Sequence, residues 1–164
     1  MLKQSLVKQF LLFAALLLPA CFANAHGFTV GELRIAHPWS QELPPNAPTV
    51  AAYFVIHNNG KTADRLLSVT SPIAGLAELH EHVKQGDLMK MQQVPSVEIP
   101  ADGDIAFAPM AYHVMLLELN DRSLLVKGKR FPLTLHFEKA GDVTVQVSVQ
   151  RPAPTSTEEH MHAQ

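Results

Sequence analysis

The sequence predicts an all-β domain, a two-sheet β-sandwich of the immunoglobulin or cupredoxin type. Three observations predict it. Beyond residue 26, apolar residues alternate with polar ones more often than they recur at helical spacing. The apolar segments are short, and Pro, Gly, Asn and Asp separate them with no long helical pattern between.

The predicted strands, in order, run over Phe28 to Ala36, Val50 to His57, Arg65 to Thr70, Ala77 to Val83, Leu88 to Gln92, Ile105 to Ala108, His113 to Leu119, Phe131 to Glu138 and Val143 to Gln150. "ELPPNAP" between the first two is a proline-stiffened loop. "NNGKTAD" and "PADGD" carry the Gly and Asn that tolerate positive φ, so they read as tight turns. At 47% hydrophobic and 17% charged residues, one domain can bury an adequate core. No internal repeat is visible.

Residues 1–25 read as an export signal. Lys3 and Lys8 precede an apolar run from Phe10 to Leu18, and Ala23-Asn24-Ala25 is the small-x-small pattern of a cleavage site. The run is shorter than the ~20 residues of a membrane span, and no later stretch qualifies. The expected location is therefore the periplasm. "LPAC" before Cys21 resembles a lipoprotein box, an alternative processing route in which Pro19 is an awkward neighbour.

With cleavage after Ala25, residues 26–151 form the domain and residues 152–164, "PAPTSTEEHMHAQ", a flexible tail. Two lysines and the only cysteine leave with the leader, and the formal charge becomes 11 minus 15, or −4. A mildly acidic chain without a basic stripe is a poor partner for nucleic acid. Without a thiol, disulfide exchange, thiolate catalysis, Cys-ligated zinc and a blue-copper site are excluded.

The chemistry concentrates in "LHEHVKQGDLMKMQQ" (79–93) and "YHVML" (112–116). Side chains two apart on a strand share a face, their Cα atoms roughly 6 to 7 Å apart. His80 with His82, Met89 with Met91, and His113 with Met115 thus each form half a site. Thioether sulfur is soft and not protonated, and imidazole is borderline, so a mixed set favours Cu(I) over Zn(II), Mg(II) or Ca(II). Methionine also fills gaps in cores. Met89 and Met110 are the two expected to be plain packing residues, and His82 a supporting or alternate ligand.

The spacing His80, ten residues, Met91, twenty-one residues, His113, one residue, Met115 resembles the H-x10-M-x21-H-x-M signature of the PCu(A)C family of periplasmic copper chaperones. "HPW" (37–39), "AAYFVIHNNG" (51–60), "DRLLSVTSP" (64–72) and "LMKMQQV" (88–94) also look like family segments, while Ser40-Gln41 stand where an arginine is often found. The resemblance implies a cupredoxin-like sandwich with an exposed Cu(I) site of His80, Met91, His113 and Met115. It also implies delivery to a cuproprotein, the CuA-bearing subunit of cytochrome c oxidase or its assembly factor.

Other histidines extend the reading. His160 and His162 flank Met161 on the tail and are candidates for Cu(II), which prefers nitrogen. His26, as a new N-terminus, has an amine and an imidazole that could chelate Cu(II), and the competing expectation is a copper-dependent oxidative enzyme built on that brace. No nucleophile and base set or phosphate-cradling motif stands out, so the expectation is a monomeric carrier and not an enzyme. His37, His57 and His136 are expected to be structural.

Overall fold

The computed structural model describes residues 27–151; the leader with Cys21, His26, and the tail with His160, Met161 and His162 lie outside them. Eleven strands make up the fold: β1 (Gly27–Val30), β2 (Leu33–Gln41), β3 (Val50–Asn58), β4 (Asp64–Thr70), β5 (Ala74–Gln85), β6 (Leu88–Gln93), β7 (Val97–Ile99), β8 (Gly103–Phe107), β9 (His113–Leu119), β10 (Arg130–Phe137) and β11 (Asp142–Gln150). Among the described residues there is no helix.

Two elements differ from the sequence reading. The expected strand from Phe28 to Ala36 is a hairpin, with Val30 opposite Leu33 and Gly31 at φ 54°. A two-residue hairpin loop needs that positive φ, which glycine adopts without a Cβ clash. β7 carries no strand signal in the sequence, since the three residues Val97–Ile99 are too few to show alternation. It buries Val97 and Ile99 and turns Glu98 out.

The expected two layers are halves of one hydrogen-bonded path, in the order β6-β5-β9-β3-β2-β11-β10-β4-β7, with β1 added to β2 and β8 to β3. One edge of β3 shows how the path folds over. Residues 54–58 pair with β8 and residues 50–52 with β9, so β8 and β9 form a single line interrupted by residues 108–112. On the other edge β2 shifts register between Ala36 and Trp39, where His37 takes φ 50° before Pro38. Both neighbours of β3 thus break beside Phe54 and Tyr53, and such irregularities bend a sheet.

The inside of the fold is a single apolar cluster drawn from both ends of the path. Phe54, Ile56, Val114 and Leu116 meet Leu66, Ile99, Phe131, Leu133 and Leu135, all essentially inaccessible. Phe54 stacks on Phe107 with centroids 4.4 Å apart. β3 and β10 alternate buried with half-exposed residues, as strands with one face on a core do. Buried Asp64 ties the far layer together by accepting from the backbone N–H of Arg65, Lys139 and Ala140 at 2.7, 3.0 and 2.9 Å. His57 and His136 hold Asp104 and Asp142 at 2.7 and 2.9 Å, the structural roles expected of them.

Candidate metal centre

The outer face of β6, β5 and β9 gathers the histidines and methionines because alternation sends their neighbours inward. Leu79 and Val114 point into the core. Glu78, His80 and His82 therefore share the opposite face of β5, and His113 and Met115 that of β9. Antiparallel register then sets His80 beside His113, Glu78 beside Met115, and His82 beside Met91. His113 is only 2% exposed although it lies on the outer face. Met91, on edge strand β6, is 48% exposed.

Hydrogen bonds assign the protons. His113 Nδ1 faces the Ala111 carbonyl at 3.1 Å, and a carbonyl only accepts, so Nδ1 carries the proton. Nε2 of the neutral ring is then bare, and it points at Met91 Sδ 3.0 Å away. Two lone-pair donors face each other with no proton between them, an arrangement a soft cation satisfies. His80 Nε2 likewise donates to Glu78 Oε2 at 2.7 Å, leaving Nδ1 bare, buried and without a hydrogen-bond partner.

The electrostatics favour the neutral form of His113. Burial pushes the His113 imidazole below its ordinary value, the Ala111 carbonyl acts the other way, and His82 and His80 push it down further. A neutral ring is the ligating form. Tyr53 packs beside His113 with ring centroids 6.5 Å apart and Trp39 beside Tyr53 at 4.6 Å, an aromatic row across the sheet. Burial raises the Tyr53 phenol, which stays protonated.

The structure brings His80, Met91 and His113 together; Met115 lies on the same face, half-buried, one step along β9 from His113. His82 also belongs to the cluster, its ring centroid 5.0 Å from that of His113 against 5.7 Å for His80. Met89 and Met110 are not packing residues: they are 45% and 59% exposed. Met89 shares the open face of β6 with Met91, and Met110, at φ 65°, stands on the loop that interrupts the β8–β9 line. Sequence reasoning missed Glu78, although its two-residue spacing from His80 is a usable signal, and missed the Ala111 carbonyl, which has none.

Among the described residues, no three His, Cys, Asp or Glu side chains are arranged to hold a metal ion. A cavity of about 480 Å³ lined by Pro44, Pro45, Arg122 and Leu125 contains none of these histidines or methionines. No helix of the described residues is long and apolar enough to cross a membrane.

Known proteins share this fold. The family model described as "Putative lipoprotein LpqE-like" matches residues 33–149. "Putative lipoprotein Lxx21020" from Leifsonia xyli subsp. xyli is 28% identical over 134 residues, 81% of this chain and 78% of the relative. The apo PCuAC domain from PmoF1 superposes with a TM-score of 0.67 at 32% identity, covering 77% of this chain and 100% of that domain. The copper-bound PCuAC domain from PmoF2 gives 0.66 at 26%, covering 77% and 99%. The solution structure of CuI-DR1885 from Deinococcus radiodurans gives 0.58 at 25%, covering 80% and 85%.

Proposed function

The chain belongs to the PCu(A)C family, whose model is described as LpqE-like, and from that premise we propose that it is a copper chaperone that binds Cu(I) through His80, Met91, His113 and Met115. The observation that carries the reading is the bare Nε2 of His113 aimed at the Met91 sulfur at 3.0 Å. The copper held by the PmoF2 and DR1885 relatives supports it.

In this reading the donors are His80 Nδ1, His113 Nε2 and the two thioethers. All four are neutral, so the bound ion keeps a single positive charge, a modest desolvation load for a site half open to water. The copper is cargo. Met91 stands on an exposed edge strand, where an acceptor's donor can displace it first, and the buried His113 lets go last. The acceptor is a cuproprotein, the CuA-bearing oxidase subunit or its assembly factor. His160, Met161, His162 and His26 are proposed as secondary Cu(II) donors.

Export accompanies the proposal, with a leader at 1–25, the domain at 26–151 and the tail at 152–164. The word lipoprotein in the family description supports the alternative cut before Cys21. N-terminal sequencing and mass of the exported protein distinguish a free His26 from a lipid-modified Cys21.

Competitive Cu(I) titration against a chromophoric chelator tests the site. Wild type takes up one Cu(I), and His113→Ala with Met115→Ala loses stoichiometric binding while remaining folded. Retention of tight 1:1 binding by the double variant would overturn the assignment.

A further inference from the structure

We propose that His82 is an alternative copper ligand, replacing His80 as the ion moves along β5 from the Met115 end of the site toward the Met91 end. This rests on the Cu(I) reading above and adds a step of hand-over to it. Several independent features of His82 point the same way. Its ring lies closer to His113 than that of His80 does, 5.0 against 5.7 Å between centroids. It is the register partner of Met91, whereas the partner of His80 on β6 is Gln93. Its Nδ1 is buried without a hydrogen-bond partner, a state it shares with His80 Nδ1.

The two histidines differ in what holds them. His80 is anchored by Glu78, itself the register partner of Met115, so its donor set is rooted toward the inner side. His82 has its backbone N–H on the Ala111 carbonyl at 3.3 Å, the same carbonyl that fixes His113 Nδ1 at 3.1 Å. One carbonyl thus holds His113 and the β5 backbone at His82 in fixed relation. His113 and Met91 are common to both arrangements, so the copper never loses two donors at once.

The exchange balances without redox chemistry. One imidazole nitrogen binds as the other leaves, the ion stays Cu(I), and neither Nδ1 has a hydrogen bond to break. In this scheme His80 and His82 serve in turn, each together with His113 and Met91. The consequence is directional, since trading His80 for His82 shifts the copper along β5, away from Glu78 and Met115 and toward the end of the site where exposed Met91 stands.

The test compares the full mature chain as wild type, His80→Ala, His82→Ala and the double variant, by competitive Cu(I) titration and stopped-flow transfer to a chromophoric chelator. Expected is 1:1 binding by His80→Ala within about tenfold of wild type, and by the double variant more than about a hundredfold weaker. His82→Ala releases copper to the chelator several-fold more slowly than wild type. His80→Ala as weak as the double variant, or His82→Ala releasing at the wild-type rate, overturns the proposal while wild-type 1:1 binding keeps the copper reading intact. Wild type without stoichiometric Cu(I) overturns both. Glutamine at the same positions repeats the comparison with side chains nearer the imidazole in size if alanine unfolds the edge.

Discussion

Met91 and His113 are 22 positions apart, yet Met91 Sδ and His113 Nε2 meet at 3.0 Å. The strand between them in space is β5, and it faces them with His82 beside Met91 and His80 beside His113. The contact joins the edge of the sheet to a side chain that is almost fully covered, so one end of the site is exchangeable and the other is fixed.

Glu78 governs the orientation of His80. Removing its carboxylate leaves His80 Nε2–H without its acceptor at 2.7 Å and frees the ring to turn. Glu78→Ala is expected to weaken Cu(I) binding by no more than about tenfold, because a partner behind a metal-bound imidazole acts only through that ring and His82 can stand in for it. Competitive titration checks it, and wild-type affinity in the variant would show that the Glu78 hydrogen bond does not position the ligand.

Acid acts on the apo protein through His113. Burial holds its folded pKa below the unfolded value, so above about pH 6.5 both states are neutral and the full stability is present. As the pH falls through that value the unfolded chain takes up the proton first, and stability declines until the folded pKa is passed. The urea midpoint of the apo protein should therefore fall between pH 7.5 and 5, and His113→Gln should flatten this dependence.

The stack of Phe54 on Phe107 lies where the sheet bends and both rings are at most 2% exposed. Phe107→Ala should cost about 3–5 kcal/mol in chemical denaturation. Copper stoichiometry of the variant, measured at a temperature where it is folded, should remain one.

Cu(II) separates the tail from the sandwich. A chain ending at Arg151 is expected to keep its single Cu(I) and lose the Cu(II) taken up by His160, Met161 and His162. Electron paramagnetic resonance of Cu(II)-titrated full and truncated chains reads this directly, and an unchanged Cu(II) signal would remove the tail from the metal chemistry.

Strand existence was legible wherever alternation ran for five residues or more, as in His113–Leu119, whose bounds agree at both ends. It failed at Val97–Ile99, too short to alternate, and at Gly31, where an apolar run continued through a turn. The pairing of His113 with Met115 on one face followed from the two-residue period of a strand. The exposure of Met89 and Met110 did not, because methionine composition says nothing about which end of the sheet it lines.

By itself, then, the sequence determined the donor types, their grouping in pairs on strand faces and the absence of a thiol from the chain beyond Cys21, since these depend only on residue identity and local period. Tertiary structure decided the register that sets His80 against His113, the proton on His113 Nδ1 through the Ala111 carbonyl, the anchoring of His80 by Glu78 and the closeness of His82. Those depend on pairing between strands distant in sequence. Hydrogen-bond geometry and burial exist only once the sheet has folded over.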